Sequence, residues 1–174
     1  MDFLKVLEKR RSVRSFKNKK ITKDDILKLL EYAKMAPSAV NLKKYFFYVV
    51  ENDLMKKQLA NASPYEKNKK ALDEASIIII GCTNKKAYLD RLGKKGEEIS
   101  AIQDITLATY NLWLTAVNMG FSAVWQGAFD EEKVSKILNI SNNLSPIAIL
   151  PIGIANEIPL KKENKNLKTI YQII

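Results

Sequence analysis

The sequence predicts one α+β domain built on a mixed sheet, and three observations support this fold class. The chain has 174 residues, 47% of them hydrophobic, which suits a single domain with a sizeable core. Apolar runs typical of strands alternate irregularly with segments whose apolar residues recur at helical spacing. No internal repeat, low-complexity tract or long linker divides the chain. We therefore expect one domain over residues 1–174.

Four segments have the composition of strands. The β-branched and aromatic residues of Tyr45 to Val50 and of Ser76 to Cys82 favour buried strands. The prolines of the segment Pro146 to Ile154 predict an edge strand or a bulge, because proline cannot donate a hydrogen bond to a strand ladder. A short extended stretch is also predicted from Val13 to Phe16. The four predicted strands are Tyr45 to Val50, Ser76 to Cys82, Phe121 to Gln126 and Pro146 to Ile154.

Six segments have helical spacing, and lysine-rich loops are expected to separate the elements. Thr22 is a plausible N-cap, and Pro37 ends the helix that follows it. Because the helix ending at Gly120 has few polar residues, we expect it to run through the core. The predicted helices are Asp2 to Lys9, Ile26 to Ala36, Leu54 to Ala62, Glu66 to Ala75, Ile99 to Met119 and Glu131 to Leu138.

Composition excludes several kinds of site. The chain has no histidine, so Ser-His-Asp triads, Cys-His dyads and histidine metal sites are ruled out. Its only cysteine, Cys82, cannot form an intramolecular disulfide and reads as an inert core thiol. No apolar stretch approaches the roughly 18 residues of a membrane span, and the N-terminus lacks a signal-peptide core. We expect a cytoplasmic protein without a metal or a membrane partner.

The arginines are concentrated in one short segment. Of 29 basic residues only four are arginine, and three of these are Arg10, Arg11 and Arg14. Planar guanidiniums bind anions with several donors at once, so the run Arg10 to Phe16 is built like a phosphate clamp. A basic surface turn is the alternative, because such turns are common in a chain of net charge +10.

Two further stretches could carry a ligand. Residues 36–44 form a loop of small and polar side chains that would let backbone approach a flat molecule; a simple helix-stop loop is the alternative. Residues 125–129 place a glycine at a strand end, where backbone N–H groups become available, although a plain core strand end would look the same.

At these three places together the chain resembles the nitroreductase family of flavoproteins. The family's Arg-Arg-Ser-x-Arg-x-Phe motif is matched by Arg10 to Phe16, and its Ala-Pro-Ser-x-x-Asn loop by Ala36 to Asn41. The likeness continues through Asn68, Asp104 and the segment Pro151 to Gly153. Where the family usually has Gln, Pro and Trp, this chain has Lys43, Lys44 and Tyr45, a departure that bears on substrate preference.

The resemblance implies a nitroreductase-like α+β fold with a central mixed, mainly antiparallel sheet flanked by helices. It also implies a homodimer that exchanges its C-terminal tails and binds flavin mononucleotide (FMN) at the interface. Core and dimer packing is then the favoured role of Trp113 and Tyr110, with substrate contact as the alternative. The chain lacks room for a large insertion over the flavin, so its site would be open to varied acceptors.

The resemblance also assigns the site residues. Arg10, Arg11 and Ser12 would hold the phosphate and ribityl chain, helped by Lys165, or next by Lys162. Arg14, the expected catalytic side chain, and Asn68 would lie at the pyrimidine edge. Backbone at Gln126 and Gly127 would face the central ring. The other subunit would contribute Pro37, Ser38 and Asn41.

The implied activity is reduction of nitroaromatics, quinones or similar small molecules with NADH or NADPH by a ping-pong mechanism. No Gly-x-Gly-x-x-Gly run follows a strand, which argues against a Rossmann site. Lys43 and Lys44 would attract the donor's phosphates or simply be solvated. Two alternatives stay open: a flavin-binding or flavin-processing protein without turnover, and a basic protein that binds nucleic acid or another polyanion. The second is disfavoured because the lysines form no basic face.

Overall fold

The computed structural model describes residues 2–160, 166 and 169–174. In this part of the chain the helices are α1 (Phe3–Lys9), α2 (Lys23–Ala33), α3 (Asp53–Ala60), α4 (Glu66–Glu74), α5 (Lys85–Lys95), α6 (Ala101–Asn118) and α7 (Glu131–Leu138). The strands are β1 (Phe16–Lys17), β2 (Tyr45–Val50), β3 (Ile77–Thr83), β4 (Ser122–Ala123) and β5 (Ser145–Ala155). A 3₁₀ turn covers Ala39–Asn41 and a π-helical turn Gly96–Ser100.

The sheet has the strand order β1-β5-β3-β2, and β4 pairs with β5. All strand pairs are antiparallel, while an isolated bridge between Ser12 and Ala123 is parallel. The predicted α+β fold with a mainly antiparallel sheet flanked by helices is therefore confirmed. The third predicted strand is shorter than expected: it covers Ser122–Ala123, and Gln126 forms a separate bridge with Ile149.

Strand β3 is buried on both faces. Ile78 and Ile80 belong to a core cluster with α3, α4 and α7, whereas Ile77 and Ile79 belong to a second cluster with α1, α2 and α6. Successive side chains of a strand point to opposite faces, so each face carries its own isoleucines. This explains why the run is continuously apolar and does not alternate.

The proline-containing strand β5 lies inside the sheet, between β3 on one side and β1 and β4 on the other. The expectation of an edge strand was wrong, but the bulge is confirmed. Gly81 pairs with Ala148 and Cys82 with Pro146, so Ile147 is the extra residue of the bulge. A bulge interrupts the regular ladder next to Pro146, which has no N–H to donate.

Helix α5 occupies a stretch that was expected to be loop. Asn84 caps it, accepting a hydrogen bond from the Ala87 N–H at 3.0 Å, and the fully buried Tyr88 anchors it to the core. Lysine, arginine and leucine are good helix formers, so a lysine-rich run is compatible with a surface helix. The predicted N-cap of α2 is confirmed, because Thr22 Oγ1 accepts the Asp25 N–H at 3.2 Å.

Helix α6 buries one face only, contrary to the expectation that it runs through the core. Ile105, Leu112 and Trp113 pack inward, whereas Leu107 and Tyr110 are 43% and 37% exposed. No described residue of the chain covers this outward apolar face. No helix in the described ranges combines the length and apolarity that a membrane crossing requires.

Candidate functional site

The arginine motif leaves α1 and is fixed to the sheet by its backbone. The N–H of Arg10 closes α1 on Val6 O at 2.9 Å, and the N–H of Val13 donates to Ala123 O at 3.1 Å. Val13 and Phe16 are buried, whereas Ser12 and Arg14 are only partly covered. The segment is therefore anchored by its buried residues and presents Ser12 and Arg14.

The three guanidiniums of the motif have no carboxylate partner among the residues that the structure describes. The Arg10 guanidinium lies 4.6 Å from the centroid of the Trp113 ring, a cation–π contact that orients it. Arg11 Nη1 donates to the carbonyls of Glu8 (2.6 Å) and Arg10 (2.7 Å). Arg14 Nη1 lies 3.5 Å from Ser12 O. Three partly covered cations without a counterion favour an anionic ligand.

Two acidic residues that the sequence did not single out hold this segment. Glu74 Oε2 accepts hydrogen bonds from Ser15 Oγ and from the Phe16 N–H, both at 2.9 Å. Burial acts to raise the pKa of Glu74, but these two hydrogen bonds and nearby Lys70 outweigh it and lower the pKa. Glu157 Oε1 accepts the Arg14 N–H at 2.5 Å. Both contacts join residues far apart in the chain, so no local pattern marks them.

The strand end at Gln126 lies beside Asn68. Gln126 Nε2 donates to Asn68 O at 3.2 Å, and the buried side-chain Oε1 has no hydrogen-bond partner in the described part of the chain. Both backbone groups of Gln126 bond to Ile149 at 2.9 Å, so the backbone that was expected to face the ring has no spare donor at this residue. Within residues 2–160 the Gly127 N–H has no partner, and that donor remains available.

The arginine motif and this strand end meet at Ala123. Ser12 is bridged to Ala123, and Gln126 follows three residues later. Glu74 at the end of α4 holds Ser15 and Phe16, while Asn68 in the first turn of α4 contacts Gln126. The segments that carry Arg10, Arg11, Ser12 and Arg14 are thus connected, along one edge of β5, to those that carry Asn68, Gln126 and Gly127.

The loop of residues 36–44 has a strained backbone. Val40, Asn41 and Lys43 have φ values of 46°, 56° and 46°, in the left-handed region. Asparagine tolerates this region, but a β-branched valine there is a rare outlier. Ser38 Oγ is buried without a partner, and Pro37 and Asn41 are exposed. Strain of this kind is concentrated at functional sites.

This loop is tied to helix α6 by Asp104, which is 3% exposed. The Ala39 N–H donates to both carboxylate oxygens at 3.1 Å, and the Tyr88 hydroxyl donates to Oδ2 at 2.6 Å. Burial and Asp104 together raise the pKa of Tyr88 and also that of Tyr45. The sequence offered one signal, a carboxylate in an otherwise apolar helix, but gave no indication of its partners.

The loop and the arginines do not meet within one chain. Ala39 contacts α6 at Asp104, whereas Arg10 contacts it at Trp113, nine residues further on. At about 1.5 Å per residue the two contact points are roughly 13 Å apart along the helix. No hydrogen bond or ion pair among the described residues joins the two segments. The structure therefore does not bring Pro37, Ser38 and Asn41 to the other site residues of the same chain.

The lysines singled out in the sequence have ordinary roles where they are described. Lys43 Nζ donates to Lys34 O at 3.0 Å, just past the end of α2. The carbonyl of Lys44 accepts the Asn84 N–H at 2.8 Å, and its side chain is exposed. Lys162 and Lys165 lie outside the described residues.

Comparison with known proteins identifies relatives over nearly the whole chain. The model of the nitroreductase family matches residues 7–154. An Archaeoglobus fulgidus protein, provisionally named NADH dehydrogenase/NAD(P)H nitroreductase, is 31% identical over 154 residues, which cover 86% of this chain and 83% of the relative.

Solved structures are similar as well. A nitroreductase family protein from Clostridium novyi NT superposes with a TM-score of 0.82 at 30% identity, covering 89% of this chain and 87% of that one. A protein from Exiguobacterium sibiricum, crystallised with FMN and provisionally named a nitroreductase, superposes with a TM-score of 0.89 at 21% identity, covering 100% and 98%. Since the family match spans both the arginine motif and the sheet that carries it, the chain belongs to the nitroreductase family.

Proposed function

We propose that this protein is an FMN-dependent oxidoreductase that takes hydride from NADH or NADPH. One observation carries the proposal: the three guanidiniums belong to a segment along the same edge of β5 as the Gly127 N–H and Gln126 Oε1. Among the described residues the guanidiniums have no counterion, and these two polar atoms have no hydrogen-bond partner. The guanidiniums suit the binding of a phosphate group, and the polar atoms suit hydrogen bonds to the edge of a planar ring. The residues present therefore fit FMN, and the family membership supports it.

The side chains divide into a phosphate end and a ring end. Arg10, Arg11 and Ser12 would hold the phosphate and ribityl chain, and Lys165 would join them from the tail. Arg14, Asn68 and Gly127 would face the ring edge, with Gln126 contributing its side-chain oxygen and not its backbone N–H.

Arg14 is proposed as the catalytic side chain. FMN, when bound, supplies the hydride chemistry, and the protein supplies placement and charge. A fixed cation at the pyrimidine edge stabilises the negative charge that develops there on reduction. Arg14 suits this task because its backbone is held by Glu157 while its guanidinium has no carboxylate partner in the described part of the chain.

Nitroaromatics, quinones and similar small molecules are the proposed acceptors, reduced by a ping-pong mechanism. No Rossmann glycine motif is present to hold the dinucleotide separately. Donor and acceptor would therefore use the same open face in turn. Double-reciprocal plots of initial rate against donor concentration, at several fixed acceptor concentrations, should be parallel. Intersecting lines would instead indicate a ternary complex.

A homodimer with shared sites is proposed because a single chain does not bring all the proposed site residues together. The segment with Pro37, Ser38 and Asn41 lies away from the arginines of its own chain. A groove of about 340 Å³ between α1, α2 and α6 is lined by Phe3, Tyr32, Met35 and Leu114, and the first three are at least half exposed. Exposed apolar surface of this kind marks an interface. A second copy would cover it and add its loop to the site.

Exchange of the C-terminal tails is part of the same proposal. Ile170, Tyr171, Ile173 and Ile174 are all exposed in the single chain. Strand β2 ends the sheet opposite to β1, and its outer edge pairs with no other strand of the described residues. An apolar tail and a free strand edge are complementary across a two-fold axis.

The direct test is the visible spectrum of the purified protein mixed with FMN, followed by NADH or NADPH without air. A protein-bound flavin that bleaches with either donor supports the proposed reductase. A bound flavin that neither donor bleaches would point to a flavin carrier without turnover. No binding by the dimer would overturn the proposal.

A further inference from the structure

Asp104 forms the centre of a buried polar cluster under the loop of residues 36–44. Three hydrogen bonds reach its carboxylate, two from the Ala39 N–H and one from the Tyr88 hydroxyl. A charged group is costly to bury unless it is well hydrogen-bonded, so these donors account for its presence in the core. The carboxylate is the only side chain in the described residues that bonds the backbone N–H groups of this loop.

The loop needs such support because its own contacts do not explain its strained shape. Its internal backbone bonds are Asn41 N–H to Ser38 O at 3.0 Å and Leu42 N–H to Ala39 O at 2.9 Å. These close a single 3₁₀ turn, yet Val40 within it has a φ of 46°. Left-handed non-glycine residues persist when the surrounding structure over-determines them. The anchor at Ala39 lies directly before the strained residue.

The helix that carries the anchor is itself rigidly placed. Asp104 is followed by Ile105, Ala108 and Leu112, all fully buried against the sheet. Tyr88 reaches Asp104 from α5, so the carboxylate is held from a second helix. Burial and the nearby charge of Asp104 raise the pKa of Tyr45, whose buried hydroxyl has no hydrogen-bond partner among the described residues.

We propose that Asp104 is a positioning residue for the cofactor: it fixes the loop that presents Pro37, Ser38 and Asn41 before FMN binds. The inference rests on the proposed FMN site. Holding the strained loop in advance removes an ordering cost from binding. Asp104 touches neither cofactor nor substrate; it acts through Ala39, and Tyr88 keeps its carboxylate oriented.

Two tyrosine variants make a matched pair for the test. Tyr88→Phe removes the hydroxyl that donates to Asp104, whereas Tyr45→Phe removes a nearby buried hydroxyl that bonds to none of the described residues. Asp104→Asn removes the charge and changes the shape little. Ile105→Val is the stability control, because it trims the core beside Asp104 without changing a hydrogen bond.

The experiment measures the Kd of FMN by fluorescence titration of each full-length variant, together with its Tm without FMN and its kcat at saturating FMN. Asp104→Asn is expected to raise the Kd about ten-fold, because it removes the charge of the hydrogen-bonded carboxylate. Tyr88→Phe is expected to raise it about three-fold, because it removes only one of the donors to that carboxylate. Tyr45→Phe and Ile105→Val should stay within about two-fold of the unchanged protein. At saturating FMN the kcat of Asp104→Asn should equal that of the unchanged protein.

Two results would overturn the inference. The first is an unchanged Kd in Asp104→Asn; the second is a Kd that follows Tm across all variants, Ile105→Val included, which would make the role purely structural. If the unchanged protein binds no FMN, the proposed function itself fails, and the role of Asp104 fails with it. That outcome is distinguishable because it precedes any substitution.

Discussion

Each arginine of the motif has a different environment, although all three belong to one short run. Arg10 lies over an aromatic ring, Arg11 folds back onto carbonyls of its own helix end, and Arg14 is held through its backbone. A guanidinium offers planar, multi-donor contacts that an ammonium cannot reproduce. Substitution by lysine would therefore keep the charge and lose the geometry.

Arg14→Lys is expected to lower the rate of flavin reduction by NADH more than it weakens FMN binding. A loss of about 100-fold is typical when one preorganised donor to a developing negative charge is removed. Stopped-flow measurement of the reductive half-reaction checks this. Arg91→Lys, at the one arginine outside the motif and exposed on α5, is the control and should change neither quantity. An equal, small loss in both variants would remove Arg14 from the catalytic role.

Glu74 links the pH dependence of stability to the same segment. Its pKa is lowered in the folded protein, so ionised Glu74 stabilises the fold above the ordinary glutamate pKa of about 4.3, and this contribution is lost as the pH falls through the lowered folded value. Urea unfolding at neutral pH and near pH 3 should show Glu74→Gln closer to the unchanged protein at the acidic pH. Glu98→Gln, on an exposed side chain, should show no such convergence. A pH-independent difference would contradict the assignment.

At the level of elements, close approach fixes the strand that carries the arginine motif. A Cβ atom added at Gly153 on β5 would lie 2.9 Å from Phe16 Cδ1 and 3.0 Å from Phe16 Cβ on β1. The absence of a side chain at Gly153 therefore lets Phe16 pack flat on the sheet. The position of the preceding arginines depends on that packing.

Gly153→Ala is expected to destabilise the protein by about 1–3 kcal/mol, because overpacking forces β1 to shift. Urea unfolding measures the loss, and FMN titration should show weaker binding as Arg14 moves with Phe16. Phe16→Leu should cost less in the Gly153→Ala background than alone, since it relieves the same contact. Strictly additive losses would show that the two residues do not collide.

Elements with a local sequence signal were predicted well, whereas features fixed by contacts between distant residues were not. Strands β2 and β3 and helix α2 were located nearly correctly, because burial and capping leave local patterns. Helix α5 was missed because its lysines resembled a loop and a single tyrosine carries its anchoring. The arginine motif was recognisable from residue type alone. The partners of Asp104 were not, since Tyr88 and Ala39 reach it only through tertiary packing.

At the level of the whole molecule, the apolar surfaces of the two sides differ. One side, between α1, α2 and α6, carries a groove with exposed Phe3, Tyr32 and Met35. The opposite side, with α3, α4 and α7, exposes Leu54 on α3. Scattered apolar residues need no partner, but a contiguous groove does.

Met35→Glu is expected to dissociate the proposed dimer and abolish FMN binding at micromolar protein, because a charge would be buried in the interface. Light scattering after gel filtration and FMN fluorescence check both effects. Leu54→Glu places the same charge at a residue that is similarly exposed, 66% against 60%, on the opposite side, and should leave mass and binding unchanged. A dimer that survives Met35→Glu would relocate the interface.

Helix α6 touches the loop at Asp104 and the arginine motif at Trp113. In a two-fold assembly with shared sites, the first contact would serve one cofactor and the second contact the other. A displacement of α6 along its axis would then be felt in both halves of the assembly at once. In such an assembly the two binding events would be thermodynamically linked through helix α6. The curve of bound cofactor against added cofactor would then have a Hill coefficient different from one.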